Sequence, residues 1–156
     1  MCMAWPCFLN GRFLNAEQIA LSVYDLGLLR GYGVFDLTRT YNRQPFHLRE
    51  HLIRLQRSAA SVGLSIPHTR EELEAMCTLL IAQAPPGEVT LRLVLTGGIS
   101  PDGLTQTGVP TFAILTAPVA QHPSALAAIT APATRTLPGV KSLCYLGAMP
   151  HLARAK

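Results

Sequence analysis

The order of the predicted elements constrains the fold most, because strands are gathered on both sides of two helices. Over residues 47–62, apolar residues recur every three or four positions, which predicts an amphipathic helix. A second helix is predicted from Thr69, the expected N-cap, to about Ala84. Grouped strands with helices between them are typical of the α+β class, and we expect that class here.

The predicted strands are short apolar runs bounded by turn residues. Asn10-Gly11 separates the first two runs, and this pair is the strongest short signal for a β-hairpin, since both turn residues must tolerate positive φ. A final helix is predicted over 142–156, interrupted by Pro150. The predicted strands cover residues 7–9, 12–14, 34–41, 89–96, 111–116 and 125–131.

Composition limits the kinds of partner. The chain has 156 residues, of which 49% are hydrophobic and 14% charged, more apolar surface than a small self-sufficient domain usually buries. This surplus predicts a large interface or a missing domain. The net charge is +4, yet the basic residues are scattered, so we expect no nucleic-acid partner.

Cysteine usage and hydropathy indicate the compartment. Four cysteines, Cys2, Cys7, Cys77 and Cys144, form no Cys-x-x-Cys pair, so we expect buried or free thiols of a reducing compartment, with no disulfides and no metal site. No hydrophobic stretch approaches the roughly 18 residues that span a bilayer. The N-terminus lacks the features of a signal peptide. A soluble, cytoplasmic protein without a membrane partner is expected.

Lys141 is the residue that most directly indicates chemistry. It stands alone among the apolar and small residues of 139–146. Desolvation disfavours an ammonium ion, and a free amine forms a Schiff base with a carbonyl. The alternative is a solvated lysine in a turn.

Three segments together indicate a family: residues 139–146, the glycine-containing stretch 25–36, and the helical stretch 46–55. Their order and spacing resemble the fold-type-IV pyridoxal-phosphate enzymes, which include branched-chain aminotransferases, D-amino-acid aminotransferases and aminodeoxychorismate lyases. The resemblance implies an N-terminal α+β domain over 1–118. Residues 119–156 would then be a connector and the beginning of an incomplete C-terminal domain that binds pyridoxal 5'-phosphate.

The resemblance also implies roles at the cofactor. Pyridoxal phosphate needs an amine for its aldehyde, donors for its phosphate and a charge partner for its pyridine nitrogen. Lys141 matches the lysine that binds the cofactor and moves a proton as general base. Arg54, in the pattern His51-Leu52-Ile53-Arg54-Leu55, matches the arginine that holds the phosphate by paired bonds; its alternative is a surface arginine on a helix. The glutamate that meets the third need in relatives is expected beyond Lys156.

Substrate residues are implied in the same way. Phe35 and Arg39 share one face of a predicted strand, and they match positions that line the pocket of branched-chain aminotransferases. Arg92 matches an arginine that recognises the substrate carboxylate. The D-amino-acid enzymes use an arginine and a histidine in the following loop, where this chain has Asp102 and Leu104.

The predicted function is pyridoxal-phosphate-dependent transamination between an L-amino acid, branched-chain-like, and a 2-oxo acid. The resemblance implies a homodimer for the full-length parent protein. The chain itself is expected to be an inactive fragment, with residues 119–156 extended from the first unit, weakly packed or mobile, and with Lys141 substantially exposed. Two alternatives stay open: an aminodeoxychorismate lyase, and a non-catalytic remnant that dimerises or binds a partner.

Overall fold

The computed structural model describes residues 5–125, 127–132 and 135–155. A six-stranded antiparallel sheet with strand order β2-β1-β6-β5-β3-β4 carries two helices on one face, which confirms the α+β class. The elements are β1 (Pro6–Leu9), β2 (Arg12–Asn15), α1 (Leu26–Arg30), β3 (Gly33–Tyr41), β4 (Gln44–Pro45), α2 (Leu48–Ser61), α3 (Arg70–Gln83), β5 (Val89–Thr96), β6 (Thr111–Pro118) and α4 (Met149–Arg154).

The core lies between the sheet and the long helices α2 and α3. Each helix buries the apolar residues that its sequence repeats every three or four positions, as expected of an amphipathic helix. The strands contribute alternate residues, because successive side chains of a strand point to opposite faces. The buried residues of this core include Phe8, Val34, Leu52, Leu55, Ala59, Leu73, Cys77, Leu80, Leu91, Leu93, Leu95, Phe112 and Ile114.

Two turn and cap predictions from the local sequence are confirmed. Asn10 and Gly11 join β1 to β2 with positive φ values of 44° and 87°, so the hairpin is confirmed. Thr69 caps α3, since its hydroxyl accepts from the amide of Glu72 at 3.2 Å. The Glu72 carboxylate accepts in return from the Thr69 amide at 2.8 Å. We conclude that short-range chemistry determines these two element boundaries.

Residues 140–143 lie along the edge of β3 that faces away from β5. The amide of Phe35 donates to the carbonyl of Lys141 at 3.0 Å, and that of Leu143 to the carbonyl of Gly33 at 3.0 Å. Glycine is needed at position 33 because a Cβ there would lie 2.5 Å from the Leu95 carbonyl oxygen and 2.6 Å from Leu143 Cδ1. Val140, the first residue of this strip, is buried.

Two predicted elements near the end of the chain are wrong. Residues 125 and 127–131 are irregular and mostly exposed instead of forming a strand, because they pair with no neighbouring strand among the described residues; Leu126 lies outside those residues. The final helix spans only Met149–Arg154, with Pro150 in its first turn. Proline fits the first turn of a helix but not its interior, so the helix begins there. Lys156 lies outside the described residues.

Candidate active site

Arg54 reaches from α2 to a buried carboxylate on β3. Its Nε donates to Asp36 Oδ2 at 2.7 Å, and its Nη2 donates to Asp36 Oδ1 at 2.6 Å. Burial alone would raise the pKa of Asp36, but hydrogen bonds from Arg54, His51 and the Leu37 amide outweigh it and hold that pKa below its usual value. In return, the bond to Asp36 raises the pKa of Arg54.

His51 contacts the same carboxylate. Its Nδ1 lies 2.7 Å from Asp36 Oδ1, and the side chain is 19% exposed. The short contact assigns the proton to Nδ1, which then donates to the carboxylate. Since His51 and Arg54 are three residues apart on one helix face, they bind Asp36 together and fix the direction of the arginine.

Asp36 leaves part of the Arg54 guanidinium free. The arginine side chain is 44% exposed, and its Nη1 makes no hydrogen bond with any described residue. A guanidinium has five N–H donors, so the outer edge of this one can still bind an anion. The phosphate contact that the sequence predicts for Arg54 would rest mainly on Nη1, because Nε and Nη2 already donate to Asp36.

Lys141 lies at the same corner of the sheet. Its backbone amide donates to Ser58 Oγ at 3.3 Å, and Ser58 follows Arg54 by one turn, about 6 Å along the helix. Its Nζ stands over the ring of Phe35, 4.5 Å from the centroid, within cation–π range. Lys141 is half-buried, so the expectation of a substantially exposed lysine is wrong. Backbone pairing with β3 is the physical reason.

The strand register brings the predicted substrate residues together. Phe35 and Arg39 point away from the helices, on the outer face of β3. Arg92 on β5 is opposite Leu37, which places it diagonally between Phe35 and Arg39. Arg92 is exposed, as befits this outer face. The outer-facing side chains of β3 and β5 include two arginines and no carboxylate.

The structure contains an open cavity of about 990 Å³ near the start of β3. It lies between the end of α1, the start of β3 and residues 142–148. Tyr145 lines it and also packs against Phe35, with ring centroids 5.6 Å apart. Arg30 and Arg135 are its charged lining residues, whereas Lys141 and Arg54 lie outside it.

Sequence reasoning missed two buried acids. Asp25 caps α1 by accepting from the Gly27 amide at 2.7 Å, and it accepts from the hydroxyls of Thr96 and Thr111 at 2.9 and 2.7 Å. The signal for it was an aspartate directly before a helical turn. Asp36 also had a signal, because it occupies an inward position of an alternating strand, where an ionised residue needs a partner.

Comparison with known proteins identifies the family of the chain. Among the described residues, no group of three or more histidine, cysteine, aspartate or glutamate side chains could hold a metal ion, and no helix is both long and apolar enough to cross a membrane. The family model for class IV amino-transferases matches residues 33–156, more than half of the chain. The chain belongs to the class IV aminotransferase family.

Its relatives carry two kinds of name. A Methanocaldococcus jannaschii protein with the provisional name branched-chain-amino-acid aminotransferase is 34% identical over 151 residues, covering 91% of this chain and 52% of the relative. A D-alanine aminotransferase from Bacillus licheniformis is 33% identical over 145 residues, covering 88% of this chain and 51% of the relative. The chain therefore spans about half the length of these curated relatives.

Solved structures share the fold. The branched-chain aminotransferase of Thermoproteus uzoniensis, solved with norvaline, superposes with a TM-score of 0.85 at 25% identity, covering 97% of this chain and 56% of that one. The fold is thus that of the N-terminal part of fold-type-IV aminotransferases. Class IV aminotransferases use pyridoxal phosphate, and solved structures of this fold include forms that contain it.

Proposed function

We propose that the parent protein transfers the amino group of a branched-chain-like L-amino acid to a 2-oxo acid, and that this chain supplies the amine and one phosphate contact. The observation that carries the proposal is that the backbone of Lys141 is bonded to both elements that position Arg54. The Lys141 amide donates to Ser58 on α2, the helix that carries Arg54, and the Lys141 carbonyl accepts from the Phe35 amide on β3, next to Asp36.

The side chains at this corner suit pyridoxal phosphate. Arg54 offers its outer guanidinium edge to a phosphate while Asp36 holds the inner edge, which fixes its orientation before binding. Lys141 offers the amine that the cofactor's aldehyde requires. When bound, the cofactor supplies an electron sink that acidifies the substrate Cα–H.

Lys141 is the residue we assign to proton transfer. Its Nζ stands above Phe35 on the outer face of the sheet, the face that carries Arg39 and Arg92. An amine at this place can take a proton from the substrate and return it to the other reacting carbon, as a general base does.

Charge on the outer face supports an amino acid and a 2-oxo acid as substrates. Arg92 is assigned to the substrate carboxylate, and Phe35 to its apolar side chain. Arg39 has its guanidinium carbon 4.4 Å from the Tyr41 ring centroid, which holds it along the strand as a second source of positive potential.

The loop after β5 favours an L-amino acid. The side chain and amide of Thr105 and the amide of Leu104 donate to Asp102, and they hold its pKa well below the usual range. A permanent negative charge there repels a carboxylate, at the place where the D-amino-acid enzymes use an arginine and a histidine.

The division into domains is also a proposal. We place the boundary between residues 118 and 119, which is where β6 ends. The described residues from 120 to 130 are exposed, as a connector would be. Limited proteolysis should cut within 120–130 before it cuts α2 or α3.

Covalent labelling tests the amine. The sequence contains two lysines, Lys141 and Lys156, so selectivity can be measured within one chain. After incubation with pyridoxal phosphate and reduction with borohydride, the label should be on Lys141. Lys141→Arg should abolish it, whereas the matched control Lys156→Arg should keep it. Equal labelling of both lysines, or none on Lys141, would refute the assignment.

Cofactor affinity tests Arg54. Arg54→Ala should weaken binding by about 10-fold to 150-fold, because one charge-assisted partner of a phosphate contributes about 1.5–3 kcal/mol. Arg57→Ala is the control, since Arg57 is exposed on the same helix and its side chain bonds to no described residue. Unchanged affinity in Arg54→Ala would leave this arginine with a purely structural role.

Product analysis of the parent protein separates the substrate classes. We expect the amino group of L-leucine or L-valine to appear on a 2-oxo acid, with D-alanine turning over far more slowly. Faster turnover of D-alanine would overturn the assignment to L-amino acids. Pyruvate and an aromatic amine from aminodeoxychorismate would identify a lyase instead.

A further inference from the structure

We propose that Arg135 is a positioning residue for Lys141: it binds the chain on both sides of the lysine and holds the strip 140–143 against β3. The inference rests on the proposed function, because the proposed function makes the strip the carrier of the reacting amine. Arg135 entered no prediction from the sequence, and it belongs to neither the predicted phosphate contact nor the predicted substrate contacts.

The first contact lies directly before the lysine. Arg135 Nη2 donates to the carbonyl oxygen of Val140 at 3.2 Å. Val140 is 6% exposed and belongs to the core cluster, so its peptide group has a defined position. A hydrogen bond from a charged donor to this carbonyl orients the peptide that leads into Lys141.

The second contact lies beyond the lysine. The guanidinium carbon of Arg135 is 5.9 Å from the ring centroid of Tyr145, at the outer limit of a cation–π contact. Tyr145 in turn packs edge-on against Phe35, the ring over which Lys141 Nζ stands. Arg135 is therefore linked through Tyr145 to the aromatic surface on which the amine rests.

These contacts close a short loop around Lys141. Without them, the strip is held by burial of Val140, by the bond from the Lys141 amide to Ser58 and by backbone hydrogen bonds to β3, among them those from the amides of Phe35 and Leu143. A strip of this length gains little from its own pairing and opens readily. A clamp at both ends lowers the population of the open form, and a misplaced amine reacts more slowly.

Amide hydrogen exchange on the full chain tests the clamp without cofactor. In Arg135→Met, which keeps the length of the side chain but removes its charge and donors, exchange at Phe35 and Leu143 should speed up about fivefold to tenfold, the effect of one ordinary hydrogen bond. The Leu93 amide, in the middle of the sheet, should stay within about twofold. Arg57→Met is the matched control and should change none of the three.

Borohydride trapping of pyridoxal phosphate on Lys141 is the second readout. The initial rate of labelling should also fall in Arg135→Met, by a smaller factor than the exchange rises, because labelling follows the closed population and exchange follows the open one. Arg135→Lys retains the charge and one donor, so both quantities should lie between those of wild type and Arg135→Met. If Arg135→Met does not fold, Arg135→Lys replaces it, with about a twofold change expected.

The two readouts separate the failure of this inference from the failure of the proposed function. Unchanged exchange at Phe35 and Leu143 overturns the clamp, whatever the labelling shows. Exchange that rises while wild-type Lys141 takes no label keeps the clamp as a structural contact and overturns both the proposed function and the positioning role. Faster exchange with slower labelling supports the positioning role.

Discussion

Arg54 and Lys141 reach the same corner of the sheet by different means. Arg54 is on a 14-residue helix that buries five side chains in the core, and Asp36 and His51 fix its direction. Lys141 is on a strip with no regular element, held by backbone hydrogen bonds to β3 and by Val140 in the core. Helix α2 would keep its place without Asp36 or a bound phosphate, because the core holds it. The strip 140–143 depends on its pairing with the edge of β3.

The difference indicates how the two residues differ in sensitivity to mutation. The free energy that holds Arg54 comes from burial of many apolar atoms, so it is spread over the whole core. The free energy that holds Lys141 comes from a few contacts, each contributing about 1 kcal/mol. Substitutions near α2 should therefore change the global free energy of unfolding, whereas substitutions near the strip should change its local opening.

The largest expected effect is in the core beneath α2. Leu55→Ala should lower the free energy of unfolding by about 2–5 kcal/mol, because Leu55 is fully buried and its loss leaves a cavity. Leu152→Ala, on α4, is the control; at 53% exposure its effect should stay within about 0.5 kcal/mol. Urea unfolding measures both, and equal losses would contradict the contrast between the two regions.

A smaller loss is expected at the carboxylate that orients Arg54. Asp36→Asn keeps the shape but removes the charge, and should cost about 2 kcal/mol, since it weakens hydrogen bonds from Arg54 and His51 in a buried place. Glu17→Gln is the control for a charge change at an exposed position and should be near neutral. A stability loss in Glu17→Gln as large as that in Asp36→Asn would show that net charge, rather than the pair, is responsible.

Gly33→Ala acts on the contact between β3 and the strip. An added Cβ would lie within 2.6 Å of both the Leu95 carbonyl and Leu143 Cδ1, and the carbonyl cannot move away easily. We expect a loss of about 1–2 kcal/mol and faster amide exchange at Leu143. Gly139→Ala is matched to it, because a Cβ there meets nothing within 4 Å. Comparable exchange rates at Leu143 in the two variants would mean that the strip does not need the close approach at position 33.

The smallest effect is on the dependence of stability on pH. Because the pKa of Asp36 is lowered from 3.8 in the folded chain, its contribution is complete above that value and is lost as the pH falls through the lower, folded pKa. When the free energy of unfolding is measured at pH 6 and at pH 3, the wild type should thus lose more of it than Asp36→Asn does. Parallel curves for the two proteins would exclude a lowered pKa at Asp36.

Much of the candidate site could be predicted from the sequence. The residues that hold the site residues in place could not. Lys141, Arg54, Phe35, Arg39 and Arg92 each stand in a motif or an alternating strand that the sequence displays. Asp36 was visible only as an acid in a strand, and no local rule says that it would meet an arginine 18 residues later. Arg135 was beyond prediction, since its partners are chosen by how an irregular segment folds back.

The sequence by itself determined the elements whose signals are local. The Asn10-Gly11 turn, the cap at Thr69 and the apolar repeat of α2 depend on residues a few positions apart, so their outcome does not depend on the rest of the fold. The tertiary structure alone decided that residues 140–143 would pair with β3 while 125 and 127–131 would not. An apolar run becomes a strand only when a free edge is offered to it, and the edges of a sheet are set by contacts between distant parts of the chain.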